Sequence, residues 1–175
     1  MARKKLISDT DLLSQVLAHL LADGDKAVSF GTISTLCGLA PPTLVQRYGS
    51  RDAMVKAAVL IGWDLLDAVT LAAEGDAFVS AKGAQTLLKD VAASVDIPEL
   101  FAVSRRDKDL SARALRWRTE MEAALCNRLG GGTKGRDAGA LMFAAWQGRL
   151  LWDAAGGKTF RLGEALRKLA DQRAI

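Results

Sequence analysis

The stretch ISTLCGLAPPTLVQRYGSRDAM, Ile33 to Met54, breaks and restarts a helical pattern at short intervals. Gly38 follows one apolar run, Pro41 and Pro42 open the next, Gly49 closes it, and Ser50 begins another. Proline suits the first turn of a helix, where its missing N–H has no intrahelical partner. Glycine just past a helix end takes the left-handed backbone that stops it. The spacing predicts a short helix from Pro41 to about Tyr48. On it, Thr43, Gln46 and Arg47 fall on the side opposite Leu44, which plugs the core. About eight residues make a marginal helix alone, so its neighbours must hold it.

Working outward, Ser8 followed by Asp11 is a capping-box variant. Leu12, Leu13, Val16, Leu17, Leu20 and Leu21 then mark one face of a helix over about Asp9–Ala22, closed by Gly24. Ser29 caps a second helix that turns Ile33, Leu36 and Cys37 inward and ends at Gly38. A fourth and longer helix starts after Ser50, with Asp52 in its first turn, and runs from about Arg51 to Ala73. Further helices are expected near 81–95, 99–103, 110–129, 136–155 and 162–173, with EGDAF as a loop and GGGTKG and GGKTF as linkers. Valine and isoleucine never alternate over a strand length, so the chain is expected to be all-α.

Composition sets bounds. Of 175 residues half are hydrophobic and only three are proline, enough for one sizeable core or a small module fused to a larger one. The formal net charge is +4, and Met1–Leu60 carries seven Lys/Arg against five Asp/Glu. Bulk charge therefore does not locate a polyanion-binding surface; placement must. Cys37 and Cys126 stand far apart without CxxC spacing, which fits neither a disulfide framework nor a zinc site. No signal peptide is legible. The longest apolar block, 138–146, is far below the ~20 residues that span a bilayer. A cytoplasmic protein without a membrane partner is expected.

Three short helices and a long one read as a helix-turn-helix module on a larger helical body. In such modules the second helix of the pair lies in the major groove and offers its early residues to base edges. Gln46 can read adenine bidentately, Arg47 can take guanine or phosphate, and Thr43 can meet a thymine methyl or a phosphate. Arg51 joins its own charge to unpaired backbone donors at a helix N-terminus, a natural phosphate clamp. Ser29 and Pro42 complete the candidate DNA surface. Arg3, Lys4 and Lys5 form either an arm along the phosphates or minor groove or a disordered tail.

Ile33, Gly38, Leu39, Thr43, Leu44, Tyr48, Ser50, Arg51, Asp52, Ala53 and Met54 resemble the tetracycline-repressor (TetR) family's pattern I-A-x-x-x-G-V-S-x-x-T-L-Y-x-x-F-x-S-K-E-x-L. The resemblance covers about Ser8 to Ala58. Val45 stands where that family usually has a phosphate-binding tyrosine, Arg51 where it has lysine, and Ala40 where it has a serine cap. The resemblance implies a DNA-binding domain over 1–53 and an effector-binding and dimerisation domain over 54–175. It also implies a homodimeric regulator, usually a repressor, released from a palindromic double-stranded operator by a small-molecule effector. In that family the last two long helices form a four-helix dimer interface. Here Leu141, Trp146 and Leu150, with Leu162, Leu166 and Leu169, would play that part; the alternative is an ordinary buried core helix. Trp63, Phe78, Phe101, Trp117 and Met121 line an effector cavity or are plain core.

Other features read blandly. His19, the sole histidine, lies beside the apolar face of the first helix and is structural. Cys37 and Cys126 read as small hydrophobes. GGGTKG reverses the GK[ST] order of a phosphate loop and follows no strand. SRRDKD, with Arg113, Arg116 and Arg118 downstream, is a solvated face, a ligand-carboxylate site or a second DNA contact. No nucleophile–base pair, metal cluster or cofactor loop is present, so neither an enzyme nor a cofactor or metal is expected. The rival reading is a helical interaction or scaffold protein that has lost specific DNA reading.

Overall fold

Caps and breakers set the helix ends. In this computed structural model, which describes residues 7–74, 79–153, 155–156 and 164, helix α1 spans Asp9–Asp23. Ser8 Oγ accepts from the Asp11 N–H at 3.0 Å and donates to Asp11 Oδ2 at 2.7 Å. A 3-10 turn, Asp25–Ala27, leads to α2, Phe30–Cys37, whose N-cap Ser29 accepts from the Thr32 N–H at 3.0 Å. Gly38 ends α2 in the left-handed region, φ 69°, and donates its N–H to Ser34 O at 2.9 Å. Helix α3 then spans Pro41–Tyr48 and α4 spans Arg51–Glu74. Helices α5 (Ala81–Ala92), α6 (Ile97–Ser104), α7 (Lys108–Arg128) and α8 (Gly132–Asp153) follow. The protein is all-α, with no strand among the described residues.

The chain packs as two compact units: Met1–Leu65 with Glu99–Arg113, and Leu66–Pro98 with Ala114–Ile175. This grouping by packing differs from the division by role at residue 53, because a distant segment, 99–113, joins the N-terminal helices. In the first unit Leu12, Val16, Ile33, Leu44, Met54 and Leu100 are fully buried, each contributing roughly 1.5–3 kcal/mol of transfer free energy. A Cβ on Gly62 would lie 2.9 Å from Leu100 Cδ1 and 3.0 Å from Leu17 Cδ2, so a larger residue there would require those side-chain ends to shift. Polar braces fasten the distant segment. Trp63 Nε1 donates to Ser104 Oγ at 3.0 Å, Lys56 Nζ meets Asp109 at 2.6 Å and Asp107 at 3.0 Å, and Arg113 donates to Asp64 at 3.0 Å.

In the second unit α7 and α8 form a close hairpin. Gly130, Gly131 and Gly132 all have positive φ and turn the chain. A Cβ on Gly135 would lie 2.9 Å from Cys126 O, and one on Gly139 would lie 3.0 Å from Cys126 N. Glycine four residues apart on α8 thus lets the backbones touch. Beyond it, Phe143 packs edge-on to Trp117 at 5.9 Å and tilted to Trp146 at 5.8 Å, with the Arg118 guanidinium 5.7 Å from its ring centre.

Several boundaries differ from expectation. Helix α7 begins at Lys108 because Asp107 Oδ1 accepts from the Asp109 and Leu110 N–H groups, an N-cap inside what looked like a basic run. Helix α8 begins at Gly132, so most of GGGTKG is helix and not linker. Leu36 is 52% exposed, outside the core: Ile33 takes the single buried position of α2, and Cys37 is half-buried. The segment 162–173 lies outside the described residues except for Glu164.

Candidate nucleic-acid interface

Helix α3 is held by one buried side chain. Leu44 is fully buried, and no other residue of α3 is. Gly38 stops α2 before it, Gly49 ends α3 itself, and Ser34 Oγ donates to Leu39 O at 2.6 Å across the turn between α2 and α3. At 100° per residue Pro42 and Gln46 stand opposite Leu44 and Val45 about 100° to its side, and all three are exposed, as is Pro41.

Thr43 and Arg47 do not lie opposite Leu44. They lie about 100° and about 60° round the helix from it, on the side away from Val45, and both are half-buried. Arg47 Nη1 donates to Asp9 Oδ1 at 3.0 Å, and Tyr48 OH donates to the same oxygen at 3.4 Å. Burial, with the Asp9 charge second, raises the Tyr48 phenol above its ordinary 10.0. Asp9 is 72% exposed in its side chain, and an ion pair that wet contributes about 0–1 kcal/mol.

Arg51 is engaged within the protein. Its Nε donates to Val28 O at 3.1 Å and its Nη1 to Asp52 at 2.9 Å. Its Nη2 donates to Asp25 Oδ1 at 2.7 Å and also to Asp25 O. The guanidinium is a strut between the start of α4 and the 25–28 loop. Ser50 Oγ accepts from the Ala53 N–H at 3.1 Å, which satisfies one of the donors that a phosphate would need. Ser29 is exposed and caps α2, with its hydroxyl 2.8 Å from Thr32 Oγ1. Arg3, Lys4 and Lys5 lie outside the described residues, as do Phe78, Leu162, Leu166 and Leu169.

The expected cavity residues go to different places. Trp63 is 1% exposed in the core of the first unit, and Phe101, in the same unit, is 47% exposed on the surface, so it lines no interior cavity. Trp117 and Met121 are buried in the second unit, where Thr70 Oγ1 lies 3.9 Å from Met121 Sδ. The expected dimer residues divide as well. Trp146 belongs to the monomer's own aromatic core at 1% exposure, whereas Leu141 is exposed and Leu150 half-buried. Leu151 and Trp152, which sequence reasoning left out of the interface, are 62% and 67% exposed. Their spacing from Leu141 and Gly148 (three, four and seven residues) was the signal for one continuous stripe.

His19 is half-buried, its Nδ1 2.8 Å from Asp23 and its Nε2 3.3 Å from Ala27 O. Among the described residues no cluster of His, Cys, Asp or Glu could hold a metal ion, and no helix is long and apolar enough to cross a membrane. Neither a known protein-family model nor any curated protein matches this chain.

Proposed function

We propose that the chain is a dimeric, TetR-like DNA-binding regulator: a cytoplasmic repressor, released from a palindromic operator by a small-molecule effector. The observation that carries this reading is α3. It is an eight-residue helix pinned by Leu44 alone, started by two prolines, and turned so that Gln46 and its neighbours project outward. A helix with so little of itself in the core is built to present its outer face. The apolar stripe of α8 at Leu141, Leu151 and Trp152 supports pairing with a second copy. Two such copies would set their α3 helices about one DNA turn apart, roughly 34–36 Å.

One observation favours the rival reading of a protein-interaction module. Arg47 on α3 and Arg51 just beyond it are paired with Asp9, Asp25 and Asp52. Salt dependence separates the readings, because displacement of counterions from phosphates is steeply salt-dependent. The deciding experiment is enrichment of sheared genomic DNA on the purified protein at moderate salt, followed by sequencing and a footprint. A short palindromic footprint that weakens with salt is the expected result. No enrichment by a folded protein, together with a salt-insensitive protein partner, would establish the rival.

A further inference from the structure

We propose that α3 reads an A·T core in each half-site, with Val45 against a thymine methyl and Gln46 on an adenine edge. This rests on the DNA-binding reading and names the sequence class that the same surface would select.

The inference starts from which side chains reach outward. Gln46 is exposed on the face of α3 opposite Leu44, and Val45, about 100° round the helix from Leu44, is 45% exposed. A valine side chain can make only apolar contacts, and thymine's C5-methyl is the apolar group that major-groove edges offer. The Gln46 carboxamide has one acceptor and a pair of donors, which match adenine N6 and N7. Guanine is read above all by arginine or lysine bridging O6 and N7. Helix α3 contains one cation, Arg47. It sits on the flank and donates to Asp9 Oδ1 at 3.0 Å, an oxygen that also accepts from Tyr48 OH. What remains on the outer face is an amide between apolar surfaces, a set that favours A·T over G·C.

The test is selection from random duplexes at fixed salt, followed by binding of the selected duplex and of its thymine-to-uracil counterpart, which lacks the methyl groups. Wild type is expected to enrich A·T pairs at adjacent positions of each half-site and to bind the uracil duplex roughly three- to fivefold more weakly. Val45→Ala should narrow the difference between the two duplexes. Gln46→Ala should lower the preference for adenine at its position about tenfold or more. Because the uracil exchange leaves the protein untouched, its outcome does not depend on a variant folding. Enrichment of a G·C core, or equal binding of thymine and uracil duplexes by wild type, overturns the assignment and leaves DNA binding intact. Failure to enrich any duplex overturns the DNA-binding reading itself.

Discussion

The two units hold themselves together by different means. In the first, side chains far apart in sequence are joined by directional polar contacts: Trp63 to Ser104, Lys56 to Asp107 and Asp109, Arg113 to Asp64, and Arg51 to Asp25. In the second, α7 and α8 are neighbours in sequence and close because α8 lacks side chains at Gly135 and Gly139. Both units bury apolar side chains; the contrast lies in what fastens their helices, long-range polar contacts in the first and close backbone approach in the second. A unit of the first kind can exchange a surface partner at small cost. One of the second kind tolerates almost no change in volume at its contact.

Trp63→Ala should have the largest effect. It empties a large, fully buried site in the first unit and removes the Ser104 bond, lowering stability by about 3–5 kcal/mol in urea unfolding. A loss near 1 kcal/mol would mean that the polar braces, and not the core, carry that unit. Next comes Gly139→Ala. The new methyl would press on the Cys126 and Glu122 backbones, which cannot rotate away as a side chain can, and should destabilise by about 1–3 kcal/mol.

Arg51→Ala should destabilise by about 1 kcal/mol through the 25–28 loop, because its partners are partly wet. Protease cleavage at that loop would report it locally. If Arg51→Ala proved more damaging than Gly139→Ala, the contrast between the units would be wrong. On the same helix as Gly139, a Cβ at Gly148 would meet nothing within 4 Å. Gly148→Ala should therefore stabilise the monomer by about 0.5–1 kcal/mol. Opposite signs at two glycines of α8, read by thermal unfolding, would show that packing and not helix propensity decides Gly139.

The smallest effect is acid dependence. The Leu110 N–H, with Lys56 second, holds the Asp107 carboxyl below its ordinary 3.8. A carboxylate depressed on folding adds stability above its unfolded pKa and loses it as pH falls through the folded value. Wild type should therefore weaken further as pH drops below 3.8, and Asp107→Asn should flatten that part of the curve in equilibrium unfolding across pH.

Local rules are legible where the chain itself supplies both partners. Ser8 with Asp11, Ser29 with Thr32, and Gly38 and Gly49 past their helices all involve residues within five positions of one another, and these elements match the pattern read from sequence. Asp107 as a cap was hidden because it stands among charges that read as solvated surface. Leu36 and Trp146 were misplaced for a related reason: apolar character says that a residue gains by burial, not which surface covers it. The candidate interface was legible at Gln46, whose outward position follows from helical spacing. It was not legible at Arg47 or Arg51. Their partners Asp9 and Asp25 lie 38 and 26 positions away, and no local pattern announces such pairs.

By itself the sequence determined an all-helical chain, the ends of its first four helices, and the outward position of Gln46 on α3, because periodicity and capping act over a few residues. Tertiary structure alone decided that 99–113 packs with the N-terminal helices, that Arg47 and Arg51 are bound within the protein, and that Leu141, Leu151 and Trp152 form an exposed stripe while Trp146 does not. Those outcomes depend on which surfaces meet, and contact between residues dozens of positions apart is set by the packing of whole helices.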